Sequence, residues 1–136
     1  MNSLQAEQRR RLLALARQMK TRLAAFRTPV TGEPVDPSHV AILLRYAQTR
    51  PGPEAMEDYL RQLPRSFVGR YTRSAGPQLK ETCEAAAHLL REVRRLRPAP
   101  GQQHDEDWPI QAYAYSLGWA RRLLATQERA REERRR

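Results

Sequence analysis

Residues 77–97 read "PQLKETCEAAAHLLREVRRLR". Leu79, Cys83, Ala86, Leu90 and Val93 recur in this run at alternating steps of four and three. That spacing lines side chains along one face of an α-helix and suits helix-on-helix packing. Pro77 fits a first helical turn, where its missing N–H is not required. The pattern predicts a long helix from Pro77 to about Arg97 with one buried seam.

The same period extends outward in both directions. Ser3 can cap a first helix running to about Arg27, with Leu12, Ala16, Met19, Leu23 and Phe26 at helical spacing. "TPVTGEPVDP" (28–37) is a turn-rich connection, and Asp36-Pro37 supplies an N-cap and a first-turn proline. The helix that follows reaches about Thr49 on a core face of Val40, Leu43, Leu44 and Ala47. "RPGP" (50–53) breaks it; Pro53 then opens a short helix striped by Met56, Tyr59, Leu60 and Leu63, which Pro64 is expected to close. A short helix or pair of turns is expected from about Ser66 to Ser74. Beyond the loop "RPAPGQQHDED" (97–107), the last helix begins near Trp108-Pro109. One of its faces carries Ile110, Tyr113, Leu117, Ala120 and Leu124, and the adjoining face carries Ala112, Tyr115, Trp119 and Leu123. So wide an apolar surface implies burial against several neighbours or against another chain. The expectation is an all-α fold: a compact helical bundle of five to six helices, three long and two to three short. Residues 1–127 form the single domain, and 128–136, "ERAREERRR", form a charged extension, helical or disordered.

The chain has 136 residues, a size for one domain, and 25 Lys and Arg against 15 Asp and Glu, a formal charge of +10. Such self-repulsion is relieved by a polyanion. Lys20 and Lys80 are the only lysines, so the positive charge is almost wholly guanidinium, which grips phosphate bidentately and stacks on bases. A GC-rich genome is the competing source of this composition. Cys83 is the single cysteine, which excludes an internal disulfide and fits a reducing compartment; on an apolar helical face it reads as a packed thiol. "MNSLQAEQRRRLLALARQMK" (1–20) lacks the continuous apolar core of a signal peptide, and no run is apolar enough to span a membrane, so a cytoplasmic protein is expected. His39, His88 and His104 lack metal-site spacing, Asp105-Glu106-Asp107 read as solvated charge at a helix start, and no phosphate-loop, nucleophile-elbow or zincin motif is present. Neither cofactor, metal nor enzymatic activity is expected.

The cations fall into patterns. On the first helix Arg9, Arg10, Arg17, Lys20 and Arg27 share an arc of about 100° beside the apolar face. Arg11 and Arg22 lie on the far side, and Glu7 is the helix's only acid. On the helix from Pro77, Lys80, Arg91, Arg94 and Arg95 flank the seam; for Arg94, Arg95 and Arg97 the macrodipole at the helix end is a competing reason for positive charge. "RSFVGRYTRSAGPQLK" (65–80) places Arg65, Arg70 and Arg73 around Phe67 and Tyr71, with no acid between Asp58 and Glu81. Its arginines suit phosphates and Tyr71 suits a base, while Gly69 and Gly76 would let the backbone approach closely; the alternative is that both rings are core anchors. Trp108, Tyr115, Trp119 and Leu123 read as core or as a protein interface in preference to a stacking platform. Once folded, the cations are expected to gather into one continuous anion-seeking strip.

The segment "LLREVRRL" (89–96), the polar loop after it and "IQAYAYSLGWARRLL" (110–124) together resemble the small α-helical subunit of CRISPR effector complexes, particularly type III. The resemblance covers about a third of the chain. A Ser-Gln-x-x-Arg-like segment found in some type III members has no counterpart. The resemblance implies a non-catalytic subunit whose copies stack head to tail and steady guide RNA with its target or a displaced strand. It extends to Arg91, Arg94, Arg95, Arg121 and Arg122. Two other readings stay open: a helical protein-interaction module docking through Trp108, Tyr115 and Trp119, and a dimeric helical DNA-binding regulator.

Overall fold

The structure, a computed structural model, describes residues 6–29, 31–67, 75–96 and 108–135. These form α1 (Ala6–Ala25), α2 (Pro37–Ala47), α3 (Pro53–Phe67), α4 (Ala75–Arg95) and α5 (Trp108–Arg135), with no strand among the described residues. The bundle is all-α, with three long and two shorter helices. α5 packs on α1 and α2, while α4 packs on α1 and α3.

The core follows the predicted period. Leu79, Cys83, Ala86, Leu90 and Val93 of α4 are all buried, as are Leu12, Ala16, Met19 and Leu23 of α1. Ile110, Tyr113, Leu117, Ala120 and Leu124 complete the core from α5. Each fully buried leucine contributes about 1.5–3 kcal/mol. Two buried hydroxyls fix helix register: Ser116 donates to the Leu12 carbonyl (2.8 Å) and Tyr113 to that of Ala86 (3.0 Å). Tyr46 and Tyr59 stack with centroids 4.0 Å apart and join α2 to α3. Burial pushes the Cys83 thiol up to about 12, so it is protonated and inert in the folded chain.

Asp36 is the N-cap of α2, its carboxylate accepting from the Ser38 N–H (2.9 Å), with Pro37 next. The connection before it is held by Thr28, whose hydroxyl accepts from the Glu33 N–H (2.8 Å), and turns at Gly32 with φ 66°. Arg50, after α2, also has positive φ (60°), a conformation unfavourable for a residue with a Cβ.

Two boundaries differ from expectation. Pro64 lies inside α3 and does not close it. Proline lacks the N–H that would donate to the Leu60 carbonyl, but so near the helix end the chain continues, with the Ser66 hydroxyl donating to the Gln62 carbonyl (3.1 Å). α4 begins at Ala75, so Pro77 is still in its first turn and Gly76 is helical. Space around Gly76 is open, and nothing approaches closely enough to require a glycine there. The charged extension continues α5 as helix to Arg135.

Candidate nucleic-acid interface

The expected single strip of cations divides. Arg22 of α1 donates to both carboxylate oxygens of Glu81 on α4 (2.9 and 3.2 Å) and lies 3.7 Å from Glu84. α4 therefore covers the edge of α1 that bears Arg22. Arg9, Arg10, Arg17 and Lys20 are at least about 120° further round and face away from α4. Arg10 and Arg17 are exposed, and Arg9 and Lys20 half-buried. None of the four makes an ion pair among the described residues. Arg27 is diverted to the end of its own helix, donating to the carbonyls of Ala24 and Phe26 (2.7 Å each).

The α4 cluster is largely neutralised. Arg94 donates to Glu57 (2.8 Å) and Glu54 (3.5 Å) of α3, and Arg95 to Glu92 (3.2 Å). This corrects the expectation that Arg94 and Arg95 are free of carboxylate partners: α3 brings Glu54 and Glu57 beside Arg94, and Glu92 of α4 itself pairs with Arg95. Lys80 and Arg91 remain exposed and without an ion pair among the described residues. Lys80 and Arg65 line a groove of about 460 Å³ between α3 and α4, floored by Leu60, Pro64, Cys83 and Ala87; Arg61 and Glu84 also reach it. Arg61 is paired to Asp58. Arg70, Tyr71 and Arg73 lie outside the described residues.

α5 supplies the most coherent site. Trp108 is 2% exposed and belongs to the core, which corrects its assignment to a docking face: at the start of α5 its ring turns inward. Tyr115, Trp119 and Leu123 are half-buried and line the surface. Two adjoining depressions, of about 630 and 340 Å³, share Trp119, Arg121 and Arg122. The first continues through Leu123, Ala125, Thr126 and Arg129; the second is bounded by Tyr115, Gly118, Leu44 of α2 and the α2 C-cap Gln48. The Arg122 guanidinium sits 5.4 Å from the Trp119 ring centroid, a cation–π contact that holds both in place. No carboxylate lines either depression among the described residues. Rings and guanidinium groups on an acid-free surface offer stacking and phosphate contacts together.

Sequence reasoning missed Arg129, assigned to the tail, although its spacing from Arg122 (i, i+7) already put it on that face. No group among the described residues could hold a metal ion, and none of the described helices is long and apolar enough to cross a membrane. The chain matches no family model, no curated protein and no solved structure.

Proposed function

We propose that this chain is a non-catalytic subunit that binds nucleic acid through phosphates without reading base sequence. The observation that carries the reading is the acid-free α5 surface, where Arg121, Arg122 and Arg129 accompany Tyr115 and Trp119. The unpaired α1 cations Arg9, Arg10, Arg17 and Lys20 add a second phosphate-facing surface. Contacts of this kind position a strand but carry no base information. The setting that fits best is a larger ribonucleoprotein, in line with the resemblance to small subunits of CRISPR effector complexes: several copies steadying guide RNA with its target or a displaced strand, with cleavage left to other subunits.

Binding to single-stranded RNA, single-stranded DNA and duplexes, measured across salt concentrations, tests this. Four to six phosphate contacts give a slope of roughly −3 to −5 in log K against log salt. Affinity is expected to be nearly equal among sequences of one strand type. A salt-independent association would instead favour a protein-interaction module working through Trp119 and Leu123. Strong preference among duplex sequences would favour a DNA-binding regulator.

A further inference from the structure

Gly118 stands in the interior of α5, and nothing in the fold requires a glycine there. Its φ is not positive, so other residues could adopt the same backbone. A Cβ at this position would meet no side chain and no neighbouring helix within 4 Å among the described residues. Glycine is among the least favourable residues in a helix interior and alanine the most favourable. The position therefore carries a stability penalty that neither packing nor backbone geometry explains. What the missing side chain leaves is room. Gly118 borders the depression of about 340 Å³ on the α5 surface. Positions 115, 118, 119 and 122 follow the spacing i, i+3, i+4, i+7, which puts the glycine on one helix face with the Tyr115 and Trp119 rings and the Arg122 guanidinium.

Resting on the nucleic-acid reading of this surface, we propose that the depression over Gly118 seats one unpaired base, so that the α5 site takes a single strand and not a duplex. Arg121 and Arg122 border the depression and no carboxylate does among the described residues, which suits an occupant carrying phosphates. The two rings and Leu44 suit a flat group with apolar faces. An unpaired nucleotide supplies both, whereas a duplex keeps its bases stacked inside and would first have to extrude one. The volume lies at the lower end of small-ligand sites, in keeping with one base and not several. Gln48, on the α2 side, brings a carboxamide that both donates and accepts; it meets the edge of any base and adds no sequence preference.

Binding of the full chain to three probes of equal length tests this: single-stranded oligothymidylate, the same strand with every base removed, and an oligothymidylate–oligoadenylate duplex. The two single strands carry the same phosphates, so they should share one salt slope, with the base-bearing strand held about tenfold more tightly. Gly118→Leu fills the depression and should remove that tenfold difference while leaving the affinities for the abasic strand and the duplex as they are. Gly118→Ala, the smaller plug, should narrow the difference. It should also raise the melting temperature by about 2 to 5 °C, so that weaker binding in this variant is not a consequence of unfolding. Equal binding of the base-bearing and abasic strands by the wild-type chain, or a difference that survives both substitutions, overturns the base seat and leaves phosphate binding standing. A Gly118→Leu chain whose self-association changes while its oligonucleotide binding stays intact overturns it in favour of a helix crossing at the glycine. Failure of all three probes to bind overturns the proposed function and the seat together.

Discussion

The outer faces of α4 and α5 both carry arginines beside an apolar seam, yet they have opposite electrostatic fates. On α4, Arg94 is held by Glu54 and Glu57 and Arg95 by Glu92. On α5, Arg121 and Arg129 make no ion pair among the described residues, and Arg122 lies over Trp119. For Arg94 the difference comes from the neighbouring helix: α3 brings an acidic edge to it, whereas the residues beside this part of α5 are Leu44 of α2 and its C-cap Gln48. Arginine content alone does not mark a binding surface; the local supply of carboxylate does.

Removing the α5 cations should have the largest effect. Arg121→Ala/Arg122→Ala/Arg129→Ala is expected to weaken nucleic-acid binding about a hundredfold near physiological salt and to make the salt slope shallower by roughly 2 to 3, one contact for each arginine. In Arg94→Ala the slope should stay at its wild-type value. Equal losses in the two variants would erase the contrast between the faces. Trp119→Ala comes next: loss of one stacking partner, about 1 to 3 kcal/mol, lowers affinity about tenfold while leaving the slope intact. A slope that changed as well would show that Trp119 acts mainly by positioning Arg122.

Smaller effects sharpen the other side of the comparison. Glu54→Gln/Glu57→Gln frees Arg94, and denaturant unfolding should register a loss of no more than about 1 kcal/mol, because the pair is partly exposed. Affinity for single-stranded RNA should rise slightly in this variant. The smallest effect concerns pH. Burial lowers the His39 pKa against the opposing influence of Asp36 and Gln78. Glu33, Glu128 and Glu132 line a pocket between the start of α2 and α5 together with His39. Between its usual value near 6.5 and its lower folded value the unfolded chain binds the extra proton, so stability falls as pH drops through that window. His39→Gln should remove this component from a series of thermal melts.

Helix number, period and core were legible in sequence because they depend on residues three and four apart: Leu12, Ala16, Met19 and Leu23 are buried as their spacing requires. The capping of α2 by Asp36 was equally local. Pairing was legible only where it was local. Arg94 meets partners 37 and 40 residues away, and Arg22 one 59 away, through helix packing that composition does not encode. Trp108 was grouped with the half-buried rings of Tyr115 and Trp119, yet at the helix start it is turned inward. The grouping of Glu33 and Asp36 with Glu128 and Glu132 around one pocket was hidden for the same reason, since the two pairs are almost a hundred residues apart.

The protonated thiol in the α4 seam gives this chain a built-in gauge of its own opening. With a pKa near 12, roughly one Cys83 in ten thousand is ionised at pH 8 while the chain is closed. Alkylation therefore has to wait for the bundle to part. Because no second cysteine competes or exchanges with it, the rate at which label accumulates reads out how often α4 separates from its neighbours, and repeating the measurement with RNA bound reports how far the ligand suppresses that breathing.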